Sequence, residues 1–262
     1  MEPKRIAFAG DWHCNRDWAR RAIRHASSLN ADIIVHLGDF GYEFPPGFVK
    51  GVDAALRKAG LELWFVDGNH ECFPTLLRYP IREDGRRQLT DRIWHLPRGF
   101  RWTWGDVSFL ALGGAYSIDR KWRVPGVSWW REEEITDEQV EQAIAGGPVD
   151  VLVSHDCPTG VDIPGLAESA HLWPPLDLIR ADSQRLQLRR VADAVRPSWA
   201  WHGHYHCQYE TVADMGHGPV RVVGLDCDGT RLARNIRVVD LSELGDSADG
   251  EHEPIEDGSA PA

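Results

Sequence analysis

The chain has no run approaching the roughly 18 consecutive apolar residues that a membrane-spanning helix requires, so no membrane partner is expected. Its opening, Met1-Glu2-Pro3-Lys4-Arg5, passes directly into a short apolar stretch over 6–10 that is too brief for a signal-peptide core. Cysteine is scarce: five in 262 residues, an odd number, which excludes a disulfide framework and fits a reducing compartment such as the cytoplasm. Basic charge is in deficit, with Lys+Arg 29 against Asp+Glu 40 and a net charge of -11. That balance argues against a protein that coats nucleic acid by releasing counterions from many phosphates. Residues 241–262 contain seven acids and no Lys or Arg, and setting them aside brings the net charge from -11 to -4, so the body is only mildly acidic. Internal repeats and low-complexity inserts are also missing. What remains is 42% hydrophobic and 26% charged, enough to bury a core. One domain over 1–241 is expected, followed by an acidic disordered tail over 242–262 that is rich in Gly, Ser, Asp, Glu and Pro.

Short apolar runs over 6–10, 32–37 and 61–66 read as buried strands. Between them Trp18, Ala22, Ile23, Ala26 and Leu29, then Val49, Val52, Ala55, Leu56 and Ala59, recur at helical spacing. The alternation βαβαβ predicts a parallel sheet. Residues 100–104 and 107–112 flank Gly105-Asp106 as a hairpin, and Thr136-Asp137-Glu138-Gln139 has the form of a capping box that opens a helix ending at Gly146-Gly147. A strand over 149–154, a long helix over 176–195 and strands over 199–202, 208–213, 220–225 and 236–240 complete the reading. Residues 115–130 form a long irregular connection containing Arg120, Lys121, Trp122, Arg123, Trp129 and Trp130.

Five polar clusters fall where predicted strands end: Asp11-Trp12-His13, Gly38-Asp39, Gly68-Asn69-His70-Glu71, Ser154-His155 and Gly203-His204-Tyr205-His206. Ligands of open α/β sheets bind at that edge. Asp11, Asp39 and Asn69 are separated by 28 and 30 residues, about one βαβ repeat, so successive strands deliver them to neighbouring places. In Asp11-x-His13 and His204-x-His206 the alternation of an extended segment puts both side chains of a pair on one face, where they can grip one ion. A carboxylate can bridge two ions, and Asp39, the single acid of the middle cluster, is the natural bridge.

The order D-x-H, G-D, G-N-H-[DE], H, G-H-x-H resembles the calcineurin-like metallophosphoesterase superfamily over 11–206, and the surrounding wording resembles members from actinobacteria and their phages. The resemblance implies a four-layer αββα sandwich with two mixed sheets and a dinuclear centre. By motif position Asp11, His13, Asp39 and His206 would hold one divalent ion, and Asp39, Asn69, His155 and His204 the other. Mn²⁺ is expected, with Fe, Zn, Ni or Mg open because mixed N/O donors do not select one metal strongly. His70 would stand by the leaving group, oriented by Glu71 or Asp67.

The resemblance to protein phosphatases stops after Asp39, where Phe40-Gly41-Tyr42-Glu43 replaces the arginine-bearing motif. Tyr42 reads as a packing or rim residue. Cys14, Cys72, Cys157 and Cys207, each close behind a motif histidine, read as packing, as do His36 and His202. The cations and rings of 115–130 suit a base and a phosphate, so Asn69, His70, Arg120, Lys121 and Arg123 are the candidate substrate contacts. The expected activity is attack of a metal-bound hydroxide on a phosphodiester, a cyclic nucleotide of the 2′,3′ or 3′,5′ type above all, in the cytoplasm (the host's, for a phage protein). The alternatives are a metal-dependent nuclease, a general phosphomonoesterase and, in another class, a non-catalytic interaction module on the same fold.

Overall fold

The computed structural model describes residues 2–245, and its first half follows the predicted alternation. Strand β1 (Arg5–Ala9), helix α1 (Arg16–Ser28), β2 (Ile33–His36), α2 (Pro46–Ala59) and β3 (Leu63–Phe65) wind as parallel crossovers, with Ile6 beside Ile33 and Ile34 beside Leu63. Asn15 caps α1 by accepting from the Trp18 N–H, and the helix buries Trp18, Ala19, Ala22, Ile23 and Ala26. A single turn, α3 (Phe73–Leu76), leads to β4 (Arg87–Gln88) and β5 (Ile93–His95), which extend the sheet and carry too few residues for a periodic signal.

The second half opens with the hairpin β6 (Arg101–Trp104) and β7 (Val107–Leu112), turned at Gly105 with φ +54°. Helix α4 (Asp137–Ala145) begins at the expected capping box, Thr136 accepting from the Gln139 N–H at 3.3 Å and Gln139 accepting from the Thr136 N–H at 3.1 Å. Then come β8 (Val151–Ser154), the short α5 (Leu166–Ser169), the long α6 (Pro175–Val195), β9 (Trp199–His202), β10 (Tyr209–Asp214), β11 (Pro219–Gly224), α7 (Leu232–Asn235), β12 (Ile236–Asp240) and α8 (Leu241–Gly245). Strand β12 pairs antiparallel with β1, so the first sheet runs β12-β1-β2-β3-β5-β4. The second runs β10-β11-β9-β8-β7-β6, parallel in its middle four strands and antiparallel at both edges.

Alternation along β1 shows how the layers form. Ala7 and Ala9 face α1 and α2, whereas Ile6 and Phe8 point to the second sheet, where the Phe8 ring stacks on Trp201 at 4.0 Å. On the far side Leu152, Ala200 and Val222 pack with α4 and α6 through Val140, Leu188 and Val191. Helix, sheet, sheet, helix is the four-layer α/β sandwich with two mixed sheets. The domain does not stop at 241: Leu241–Gly245 is helical, and Leu244 is buried between the sheets because an apolar side chain there completes the inter-sheet core. The remainder of the expected tail, 246–262, lies outside the described residues. Among the described residues no helix is long and apolar enough to cross a membrane.

Candidate metal centre

All seven residues expected as ligands meet on one rim, at the ends of β1, β2, β3, β8 and β9. Four of them, His13 (φ +45°), Asp39 (φ +54°), His204 (φ +68°) and His206 (φ +50°), have left-handed backbone, a costly conformation that clusters at functional sites. The turns are locked to one another. The Asp39 carbonyl accepts the N–H groups of Trp12 and His13 at 3.2 and 2.8 Å, and its carboxylate accepts the His70 N–H at 2.9 Å. Gly68 and Gly203 lie so close to the Asp39 and Asp11 carboxylates that a Cβ at either position would collide with an Oδ1.

Two overlapping donor groups result. Asp11, His13 and His206 present atoms within 4.8 Å of one another, as do Asp11, Asp39 and His155, so Asp11 is common to both. Asp39 also faces both ways: Oδ2 is 3.6 Å from His13 Nε2 and Oδ1 is 3.5 Å from His155 Nε2. The His204 ring lies 5.0 Å from that of His155.

The chemistry of the donors fits a cation. The Leu37 carbonyl accepts from His155 Nδ1 at 2.7 Å, which leaves Nε2 facing Asn69 Oδ1 at 3.0 Å. Two acceptors at that separation repel unless a proton or a metal ion lies against them. Carboxylate, imidazole and amide oxygen together suit a divalent ion. The same crowding shows in the titration: burial opposes protonation of His13, yet Asp228, Asp39 and Asp11 push its imidazole up to about 11. Burial likewise opposes charge on Asp39, but His155, His70 and His13 hold its carboxyl well below the usual range. Protons therefore occupy what metal ions would compete for.

His70 borders this group, its Nε2 3.9 Å from Asp39 Oδ2. Its orientation corrects the expectation. Glu71 accepts backbone N–H groups of Phe40 at 2.6 Å and Gly68 at 2.7 Å, stitching two turns together, and Asp67 binds Arg98 at 2.6 Å and His95 at 3.0 Å. Both acids are buried, and their hydrogen bonds go to these partners and not to the ring. Burial and the neighbouring Asp39 push Glu71 up to about 8, while Arg98 and His95 overcome burial to keep Asp67 charged. The group that touches the His70 ring is Arg123, whose Nη2 lies 2.9 Å from Nδ1 and 2.6 Å from Nε2. A guanidinium only donates, so the nitrogen it meets must accept, and burial with this cation lowers the His70 pKa.

The other two loop cations go elsewhere. Arg120 lies over the Trp129 ring at 3.8 Å and pairs with Glu134 at 3.3 Å, and Lys121 lies over Trp122 at 4.2 Å. Tyr42 is a rim residue, its ring 5.2 Å from that of His70. Burial pushes the thiols of Cys14, Cys157 and Cys207 up to about 11, 12 and 11, which favours the packing role over thiolate ligation.

Three residues at the centre have no place in the sequence reading. Asp228 accepts from His13 Nδ1 at 2.7 Å and from Asn15 at 2.6 Å. A signal for it existed, since Leu225-Asp226-Cys227-Asp228 is a sixth polar cluster behind a buried strand that ends on the same rim. Ser117 and Glu133, which stand behind Asn69, had no such signal.

No curated protein matches the chain in sequence. Its fold is similar to that of a dimetal phosphatase from Danio rerio, 13% identical, with a TM-score of 0.53 over 92% of this chain and 93% of that one. The protein TT1561 of Thermus thermophilus is also similar, at 12% identity and a TM-score of 0.50 over 91% and 99% of the two chains. At these identities the likeness is one of fold. The sequence profile of calcineurin-like phosphoesterases, however, matches residues 4–208 and so takes in every ligand candidate from Asp11 to His206. A chain matched over that span, with those side chains gathered at one rim, belongs to the calcineurin-like phosphoesterase family of metal-dependent hydrolases.

Proposed function

We propose that this protein is a cytoplasmic hydrolase of phosphodiesters, cyclic nucleotides of the 2′,3′ or 3′,5′ type among them, working with two divalent ions of which Mn²⁺ is the first choice. The observation that carries the reading is that Asp39 lies between two overlapping donor groups, Oδ2 3.6 Å from His13 Nε2 and Oδ1 3.5 Å from His155 Nε2, with His70 on their border. Asp11, His13, Asp39 and His206 would hold one ion, and Asp39, Asn69, His155 and His204 the other. When bound, such ions supply positive charge to the phosphoryl oxygens and lower the pKa of an attacking water.

The chain's own residues then have distinct tasks. Asp39 keeps the two donor groups in register through its two oxygens. His70, beside Asp39 and in contact with Arg123, is the group placed to assist the departing alkoxide, as proton donor or as stabiliser of its charge. Preference for a diester is supported by the way the nearby cations are compensated. No arginine comes directly after Asp39, and the Arg123 charge is met by Asp119 at 2.9 Å and Glu133 at 3.4 Å, with further contacts to the carbonyls of Asn69 and Ser128 and to the His70 ring. A dianionic monoester would need a cation less fully compensated. A monoesterase remains the second reading, favoured by the arrival of Arg123 at the rim at all. A panel run with Mn²⁺ separates the two: a nitrophenyl diester, 2′,3′- and 3′,5′-cyclic nucleotides, a polynucleotide, nitrophenyl phosphate and a phosphoserine peptide. The highest kcat/KM should fall on a small diester, and a higher value for either monoester than for every diester overturns the reading.

A further inference from the structure

Glu133 is fully buried, and its carboxylate receives the Ser117 hydroxyl, the Trp130 N–H at 3.1 Å and Arg123 Nη1 at 3.4 Å. Burying a carboxylate is costly unless donors fill its lone pairs, and here three do. Its place is fixed from outside. Arg98 binds Asp67 Oδ2 at 2.6 Å and the Glu132 carbonyl at 2.7 Å with the same Nη2, tying the turn that carries Glu133 to the strand end that carries Asn69.

The direction of the hydrogen bonds has a chemical consequence. Burial pushes Glu133 up to about 7, against the pull of its three donors, and in the charged form that those donors favour a carboxylate only accepts, so the single Ser117 proton goes to Glu133. The Ser117 oxygen is then left to accept, and the group 3.0 Å from it is the Asn69 amide. Only Nδ2 can donate there, which turns Oδ1 toward His155 and the donor groups. With the amide reversed, N–H bonds would point at the place of a cation.

We propose that Ser117 and Glu133 form a positioning pair that fixes the polarity of the Asn69 amide, so that its oxygen and not its nitrogen faces the metal centre. The proposal rests on the reading of Asn69 as a ligand. Through Arg123 the same carboxylate also seats His70, which joins the two sides of the site in one buried group.

The test is calorimetric titration of the metal-free full chain with Mn²⁺, using wild type, Asn69→Ala, Ser117→Ala, the double variant and Glu133→Gln. Ser117→Ala should weaken one of two ions by about 10- to 100-fold, the usual cost of losing an outer partner of a ligand, and leave the other ion unchanged, while the metal-free protein still melts cooperatively at a somewhat lower temperature because buried Glu133 has lost one donor. Asn69→Ala should weaken the same ion, and the double variant should be no worse than Asn69→Ala alone, because both changes remove one interaction. Glu133→Gln should follow Ser117→Ala and also lower kcat; if it does not melt cooperatively, Ser117→Ala carries the test. Unchanged affinity in Ser117→Ala, additive losses in the double variant, or equal weakening of both ions overturns the positioning role while Asn69 stays a ligand. If Asn69→Ala itself binds both ions normally, the ligand reading fails and the proposal falls with it.

Discussion

Asp39, behind β2, and Arg120, in the connection between β7 and α4, are both charged groups near a strand end, but their surroundings differ in kind. Asp39 is gripped on every side by neighbouring strand ends: its carbonyl by Trp12 and His13, its carboxylate by the His70 N–H, with His155 and His13 flanking it. Arg120 and Lys121 rest on tryptophans of their own loop, and only Arg123, a few residues on, turns back to the centre. Parallel strands bonded in register give each following turn one place. In an irregular connection adjacent side chains point apart, and local aromatic and acidic neighbours decide where each one goes.

The sharpest break of that contrast is removal of the residue most enclosed. Asp39→Ala should cost both ions, and turnover should fall by at least the roughly 10²- to 10³-fold that loss of one preorganised electrostatic group costs; elemental analysis after Mn²⁺ loading checks it, and two ions with full activity would end the bridging role. His70→Ala, one residue beyond Asn69, should instead keep both ions and lose about 10² in kcat for poor leaving groups, but less for nitrophenolate, which departs without a proton.

In the loop the contrast becomes one of neighbours. Arg123→Ala should change kcat or KM for nucleotide diesters by about tenfold, on the scale of 1.4 kcal/mol, because it frees the His70 ring and unpairs Glu133. Arg120→Ala and Lys121→Ala should leave both parameters near wild type. Equal effects from all three would return the whole turn to the binding site.

The smallest effect concerns a strand interior. His36 on β2 is fully buried between Trp12 and Phe40, and among the described residues neither ring nitrogen has a hydrogen-bond partner. Burial lowers its pKa from the ordinary value of 6.5 to about 3. The unfolded chain therefore takes up a proton that the folded one refuses, and stability falls as the pH drops from about 6.5 toward 3. His36→Phe should remove that dependence, a gain of about 2 kcal/mol at pH 5 at roughly 1.4 kcal/mol per pH unit, read from urea denaturation of the metal-free protein. An unchanged pH slope would show that other groups carry it.

The repeat spacing of Asp11, Asp39 and Asn69 and the alternation in His204-x-His206 were enough to bring seven side chains to one rim, because a period of one crossover unit leaves little freedom in where the next strand ends. The capping box at Thr136 and the hairpin at Gly105 were legible for a similar local reason. Asp67 and Glu71 were misread: they lie close to His70 in sequence, but in the bent segment after a strand nearby residues serve different partners, here Arg98 and His95 for Asp67 and the Phe40 and Gly68 N–H groups for Glu71. Leu244 escaped notice because one leucine in an acidic stretch carries no periodicity, and its burial depends on a gap between sheets that only the packed molecule possesses.

By itself the sequence determined the chemistry that this protein has available, carboxylates, imidazoles and an amide, and the order in which strands deliver them, since both depend on residue type and short-range period. Tertiary structure alone decided the polarity of those groups: that Leu37 takes the His155 proton, that Asp228 backs His13, that Ser117 and Glu133 turn the Asn69 oxygen inward and that Arg123 rather than Arg120 meets His70. A hydrogen bond is set by the direction and distance of two groups, and between residues 48 or 118 positions apart no local pattern records either.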